Sequence, residues 1–424
     1  MDLLDVTGAV LGLWPGVSCV TCVNLMKHSG IYFDHNATTP LAPTVREQLP
    51  HWAESFGNPS SIHFAGRPSK LILREARQSL AKLLGVDSLE LIFTSGGSES
   101  NNMALKGIFD SIETGWSWSG KTSRDRNELI ISAIEHPSLM KTAEFLTRKG
   151  FRVHIIPVDA ERGLDIEFYK KVLSNKTALV SMMLANNETG MVFPIKQLCQ
   201  MAHDAGALFH SDCVQGLGKM EFSLKDLGVD LASLSGHKFY ALKGSGLLYV
   251  KKGVTMESHI HGGGQERGRR AGTENVVGIA SFGAMAKRKD EIPQRVQAMN
   301  DLRTLLEKKI FAAIDGVCII SKGLPRLSNT SCLLVNGVDG ETLLMNLDVQ
   351  GIAVSTGAAC SSGNPEPSPV LLALGLSREQ AQSSLRISLG WNSTEQEVDL
   401  FVEALVKVVE RLRSFTSMAG AANV

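Results

Sequence analysis

Two residues raise the first chemical question: Lys238, in "SLSGHKF", and Asp212, at the end of "ALFHSD". A lysine amine becomes a nucleophile toward carbonyl groups when burial or a nearby positive charge keeps it unprotonated. Each residue also has an ordinary reading. A lysine past a strand is usually solvated, and an aspartate at a strand end commonly caps or turns the chain. Both close short apolar runs that read as neighbouring strands. Ligands in open α/β sheets bind beyond the carboxyl ends of such strands. A lysine and a carboxylate converging there are the pair that pyridoxal 5′-phosphate needs. The lysine holds the aldehyde, and the carboxylate pairs with the protonated ring nitrogen, making the ring an electron sink.

Other residues fit around that pair. "TSGGSES" (94–100) reads as a strand end, a glycine turn and a helix start. A helix N-terminus offers unpaired N–H groups and a positive dipole end, which suit a phosphate, and Ser98 adds a hydroxyl. His136, in "AIEHPS", precedes Pro137 and is biased toward an extended conformation. Its flat imidazole suits stacking on a ring and proton transfer near neutral pH; a structural histidine is the alternative. Asn187, in "NNETG", and Gln215, in "SDCVQ", are amides able to orient ring substituents, or simply turn residues. Cys360 sits in "VSTGAACSSGNPEPSPV" (354–370), whose small residues and prolines read as an exposed loop. Its thiol is either an accessible nucleophile or an unremarkable surface group. Arg386, in "SSLRISLG", is a lone cation in an apolar run, so it needs an anion. A substrate carboxylate and a structural Asp or Glu both qualify.

Positioning these residues takes a repeated strand–helix alternation, which begins near residue 70. "LELIFTSG" (89–96), "ELIISAIEH" (128–136), "RVHIIPVD" (152–159), "TALVSMML" (177–184), "ALFHSD" (207–212), "DLASLS" (230–235) and "GLLYV" (246–250) read as strands buried on both faces. Helical patterns fall between several of them, as in "PIKQLCQMAHDAG" (194–206), which ends on a glycine stop. This alternation predicts a mostly parallel sheet with helices on both faces. After "RAGTEN" (270–275) it weakens. A charged helical stretch (286–314) then leads toward a smaller second domain, and residues 395–415 show helical periodicity. The last residues, from 416, read as a frayed tail. Cys199, Cys213, Cys318 and Cys332 read as core.

The whole-chain arithmetic excludes several classes. At 424 residues, the chain has room for two or three domains. Its 43 basic and 43 acidic residues cancel, which argues against direct nucleic-acid binding. Seven cysteines, an odd and scattered set, do not form a disulfide framework and fit a reducing compartment. No run is apolar enough to span a bilayer. The first 26 residues hold no Lys or Arg, so neither a secretory signal nor a transit peptide is read there. A cytoplasmic protein without a membrane partner is the expectation. Cys19 and Cys22 form a lone CxxC, a weak metal or redox signal. The segment holding Trp116 and Trp118 reads as a surface insertion.

Taken together, "YFDHNATTP", "TSGGSES", "EHPS", "NNETG", "HSDCVQ", "SGHK", "HGGGQERGRRAGTEN" and "GAACSSGNPEPS" resemble the cysteine desulfurases. These are pyridoxal-phosphate enzymes of the class V aminotransferase fold, and the resemblance runs from about Ile31 to about Arg413. It implies an α/β fold of type I, with a large, mostly parallel seven-stranded sheet and a smaller α+β C-terminal domain. The implied division is an extension at 1–30, a small domain from 31–47 and 294–415, and a large cofactor-binding domain at 48–293. The implied activity takes sulfur from L-cysteine, leaving L-alanine and a persulfide on Cys360. The persulfide sulfur then passes to an acceptor scaffold or carrier protein, for iron–sulfur clusters or for thiolation of cofactors and tRNA. A selenocysteine lyase, or another enzyme of the same fold, is the alternative.

The resemblance also assigns roles. Lys238 is the Schiff-base lysine, Asp212 meets the ring nitrogen, Gln215 the ring hydroxyl, and His136 stacks on the ring. Gly97, Ser98, Ser235 and His237 hold the phosphate. Thr273 reaches the phosphate of a neighbouring subunit, implying a homodimer. Asn187 and Arg386 receive the substrate carboxylate, and Cys360 is the nucleophile. No intrinsic metal is implied; Cys360 is at most a transient ligand for a scaffold-bound iron–sulfur cluster. The "CSSGNPEPS" loop is similar to the longer-loop branch of the family. The short reach of the chain past Arg413 differs from members with a longer C-terminal docking extension.

Overall fold

The computed structural model describes residues 30–115, 125–356 and 366–421. Cys360, the Trp116/Trp118 segment and residues 1–29, including Cys19 and Cys22, lie outside the described residues. In chain order the strands are β1 (Ile31–Tyr32), β2 (Leu91–Thr94), β3 (Glu128–Ser132), β4 (Arg152–Ile156), β5 (Val158–Asp159), β6 (Gly163–Leu164) and β7 (Thr177–Ser181). They continue with β8 (Leu208–Asp212), β9 (Leu231–Ser235), β10 (Gly246–Val250), β11 (Val317–Ile319), β12 (Thr330–Val335), β13 (Ile352–Ala353) and β14 (Ser384–Ser388). The longer helices are α1 (Pro43–Glu54), α2 (Gly66–Leu84), α3 (Gly97–Glu113), α4 (Pro137–Arg148) and α5 (Ile195–Asp204). After them come α6 (Val276–Ala286), α7 (Ile292–Ala313), α8 (Gly340–Asp348) and α9 (Glu395–Ala421).

Seven strands form one sheet in the order β2-β10-β9-β8-β7-β3-β4. The steps from β9 through β8, β7 and β3 to β4 are parallel. Only β10 runs against its neighbours β2 and β9, so β2 points the same way as β9. Six strands, β2, β3, β4, β7, β8 and β9, therefore end on one edge of the sheet. The period-2 alternation of a strand divides its side chains between two cores. Leu91, Phe93 and Ile130 face one core, while Ile92, Leu129 and Ile131 face the other. Helices cover both faces, as continuous apolar strands require. On one face α6 lies so close to α2 that a Cβ on Gly283 would stand 2.5 Å from Ala76.

A separate apolar core surrounds the antiparallel sheet β11-β12-β14. Leu333, Val335, Leu385 and Ile387 on its strands pack with Leu306 and Ile310 of α7 and Phe401 and Leu405 of α9. Phe33 joins this core, and β1 pairs in parallel with β13. The residues just after β1 thus reach the boundary between the two cores. Among the described residues no helix is long and apolar enough to cross a membrane.

Several expectations need correction. "RVHIIPVD" is not one buried strand: Pro157, without a backbone donor, separates β4 from β5. β4 is an edge strand with a mostly uncovered face, and Ile155 is largely exposed. The charged stretch at 286–314 is not one helix either. α6 ends at Ala286, a short turn follows, and Pro293 starts α7 at a position where its missing N–H costs nothing. Cys318 is exposed rather than core, because β11 is an edge strand and that side chain alternates toward solvent. The last helix, α9, is bounded by Glu395 and Ala421.

Candidate active site

The expected site residues gather beyond the shared strand edge. Gly97 follows β2, His136 follows β3, Asn187 follows β7, Asp212 ends β8, and Ser235, His237 and Lys238 close β9. The order of strands reverses between β3 and β7, since β4 lies on one side of β3 and β7 to β9 lie on the other. Such a switch point opens a crevice at the strand ends.

The half-buried Lys238 extends its amine onto two main-chain carbonyls, Asn36 O at 2.6 Å and Ala37 O at 2.5 Å. Both belong to the segment after β1. Gln215 Nε2 donates to the same Asn36 oxygen at 3.1 Å. Asp212 is buried, and each of its oxygens has a fixed donor. Asn101 Nδ2 lies 2.7 Å from Oδ2, and the Val214 N–H lies 2.9 Å from Oδ1. Asn101 also donates to Ser138 Oγ at 2.9 Å, and Ser138 in turn fixes His136. The Ser138 backbone N–H donates to His136 Nδ1 at 3.1 Å. This places the ring proton of the neutral imidazole on Nε2. Burial holds the His136 pKa below its ordinary value. Lys238 pushes the same way and Asp212 opposes them, so the three charges share one neighbourhood. His237 is pushed down to about 4 by burial and the cations around it, and its Nδ1 meets Thr38 Oγ1 at 3.1 Å.

An anion cradle lies beside these groups. Helix α3 opens at Gly97, with no side-chain cap on its first N–H groups. A Cβ there would stand 2.7 Å from Val214 Cγ2 and 3.7 Å from Ser235 Cβ, so only glycine fits without movement. Ser235 is 2% exposed, and its hydroxyl has no hydrogen-bond partner. A buried hydroxyl left unpaired costs about 1–3 kcal/mol. Uncapped N–H groups and an orphaned hydroxyl together are what a phosphate satisfies. With Lys238 for an aldehyde and Asp212 for a ring nitrogen, the residues present fit pyridoxal phosphate. Ser98 is exposed at the mouth of the cradle.

Arg386, on β14, is buried and holds both kinds of partner in prospect. Its Nη2 pairs with Asp34 Oδ1 at 2.7 Å, and Nη1 donates to Asn187 O at 3.2 Å. Its Nε is buried without a partner. Asn187 is half-buried beside it. Thr273 is exposed and lines a cavity of about 90 Å³ with Thr94, Ser95 and Arg270 of its own chain.

Sequence reasoning missed several members of this site. Asn36 is the hub: Nδ2 donates to Asn187 O and Thr330 Oγ1, while Oδ1 accepts from Lys219 Nζ and Asn329 Nδ2. Asn101 aligns Asp212, and Asp34 anchors Arg386. Glu135 is fully enclosed beneath His136, where Oε1 accepts from Ser132 Oγ and the Met183 N–H. The available signal was polarity out of place. "DHN" follows an apolar entry strand, and Asn101 falls on the inward face of α3. Buried polar groups of that kind must be paired.

The aminotransferase class-V family model matches residues 31–401. The chain is 40% identical over 395 residues to the cysteine desulfurase IscS of Clostridium botulinum, covering 92% of this chain and 96% of that one. A solved NifS-like protein superposes with a TM-score of 0.82 at 36% identity, covering 90% of this chain and 99% of the other. A solved SspA in complex with cysteine gives a TM-score of 0.73 at 31% identity, covering 86% and 100%.

Proposed function

The chain belongs to the class-V aminotransferase family and to the cysteine desulfurases within it, and from that premise we propose how its own residues carry out the reaction. The enzyme removes sulfur from L-cysteine. The observation that supports the site assignment is the convergence of Lys238, Asp212 and His136 beside the uncapped start of α3 and the orphaned Ser235 hydroxyl.

Pyridoxal phosphate, when bound, supplies an electron sink for negative charge at the substrate α-carbon. Lys238 would hold its aldehyde through Nζ, and the same amine, when free, is the base positioned to take the α-carbon proton. Asp212, fixed by Asn101 and the Val214 N–H, keeps a proton on the ring nitrogen. His136 would cover the ring, with its proton on Nε2. Gly97, Ser98, Ser235 and His237 hold the phosphate, and Gln215 meets the ring hydroxyl. Arg386 and Asn187 orient the substrate carboxylate, with Asp34 keeping the guanidinium in place. Cys360 attacks the substrate sulfur as thiolate. The carbon–sulfur bond breaks with its electron pair left on the substrate β-carbon, a persulfide remains on Cys360, and protonation of the β- and α-carbons gives L-alanine. An acceptor protein takes the sulfur onward, and the free thiol calls for a reducing compartment. A second copy of the chain completes each site through Thr273.

The test is direct. Loaded protein should be yellow, form alanine from L-cysteine and release sulfide with a reductant. Cys360→Ala should stay yellow and lose sulfide release at least a hundredfold, whereas Lys238→Ala should lose the parent visible spectrum. Sulfide release at the parent rate in Cys360→Ala would refute the thiol's role. An unchanged spectrum in Lys238→Ala would refute the lysine's.

A further inference from the structure

Lys219 is a second lysine in the same pocket, and nothing in the proposed reaction uses it. It is 4% exposed. No carboxylate among the described residues pairs with it; two amide oxygens do. Its Nζ donates to Asn36 Oδ1 at 2.9 Å and to Gln215 Oε1. Enclosing an amine this way is costly, so its placement calls for a reason. The groups facing it are Lys238, Arg386 and Asp34, with the imidazoles of His35 and His237. Burial and the two cations hold its own pKa well below the ordinary lysine value.

The hydrogen-bond directions settle what Lys219 does to its neighbour. A primary amide has one acceptor oxygen and a nitrogen with two donors, and the two ends exchange by a simple flip. The Asn36 main-chain oxygen only accepts, so Gln215 Nε2 faces it and Oε1 faces Lys219, whose Nζ has protons for both Asn36 Oδ1 and Gln215 Oε1 in either charge state. Gln215 Nε2 then donates one proton to Asn36 O. Its second N–H is the group left for a ligand. The same Asn36 carbonyl accepts from Lys238 Nζ, so both lysines, the amide and the hub form one continuous network.

We propose that Lys219 is a positioning residue that locks the Gln215 amide with its nitrogen toward the ring hydroxyl of pyridoxal phosphate, making Gln215 a fixed donor to that oxygen. The role rests on the proposed function in one respect, that Gln215 faces this hydroxyl. A donated N–H stabilises the anionic ring oxygen. The neighbouring Lys238 nitrogen then holds a proton less tightly, and the visible absorption of the loaded enzyme titrates at lower pH.

A double-mutant cycle tests this on the full chain loaded with pyridoxal phosphate. The readouts are the pH midpoint of the visible absorbance and the dissociation constant for pyridoxal phosphate. Lys219→Met and Gln215→Met should each raise the midpoint by about one pH unit and weaken binding about tenfold. The double variant should shift no further than either single one, because both remove the same donated bond. Parent values in Lys219→Met would overturn the role. A double shift equal to the sum of the two would overturn it too, leaving Lys219 a charge acting through space. Gln215→Glu keeps a partner for Lys219 but offers no donor, so it covers the case in which Lys219→Met does not fold. It should raise the midpoint at least as far, and a parent midpoint there would overturn the proposal. A parent chain that takes up no pyridoxal phosphate would overturn the proposed function and this role with it. Uptake by the parent with unshifted variants would overturn this role alone.

Discussion

Ser235 shows how a single side chain can be costly to the empty fold and useful to the loaded one. Its hydroxyl is enclosed at the end of β9 with no partner. Ser235→Ala removes that unpaired group without opening a cavity larger than one atom. The empty variant should unfold at the same free energy as the parent or up to about 1 kcal/mol higher. Its affinity for pyridoxal phosphate should fall about tenfold, the worth of one hydrogen bond to an anion. Chemical denaturation and equilibrium binding measure the two. Lower stability with unchanged affinity would make the hydroxyl structural. At this scale the sequence exposed the polar and charged groups that gather at the strand ends, because they stand out where apolar runs stop. It concealed those that act through another residue. Asn36 and Asn101 are read only from partners that lie far away along the chain, Lys219 and Asp212 among them, and no local pattern encodes such pairings.

The strands and helices were legible where burial is complete. β3, β7, β8, β9 and β10 are enclosed along their length, and continuous apolar runs announce that. Elements whose environment changes midway were not, as with β4, where the sheet ends. Glu135 shows how the elements are joined at the switch point. It follows β3, and its Oε1 ties Ser132 of β3 to the Met183 N–H just past β7. Burial lifts its pKa from 4.5 to about 8, helped by nearby Asp212. The folded state therefore keeps a proton that the unfolded chain releases above pH 4.5. The contribution is fully present below that value and is lost as pH rises toward 8. Glu135→Gln keeps an acceptor oxygen and never ionises. The free energy of unfolding of Glu135→Gln relative to the parent should thus improve between pH 5 and 8, by on the order of 2–4 kcal/mol. Denaturation at several pH values checks this. A difference that stays flat across that range would mean the carboxyl ionises freely where it sits.

On the scale of the whole molecule, the described surface holds a segment that a lone chain does not explain. Between α1 and α2, Phe56, Ile62 and Phe64 are 86%, 92% and 80% exposed. The segment is not a loose connection. Ser61 N donates to Asn58 O, and Gly66 N donates to His63 O. A Cβ on Gly57 would stand 1.8 Å from Ala65 O, so the two ends of the loop touch. A closed loop that presents large apolar side chains outward marks a contact surface. Each such side chain gains about 1.5–3 kcal/mol when covered. The proposed second copy of the chain is the occupant to test, since the exposed Thr273 is proposed to complete a neighbour's phosphate site. The parent should sediment at twice the mass of one chain at micromolar concentration. Phe64→Asp places a charge in that contact, while its exposure leaves the core untouched. It should move the sedimenting species to a single chain, keep the circular dichroism of the parent, and weaken pyridoxal phosphate binding about tenfold or more as the borrowed Thr273 contact is lost. A parent that sediments as one chain would remove the second copy from the site. A Phe64→Asp variant that stays paired would place the contact elsewhere on the surface.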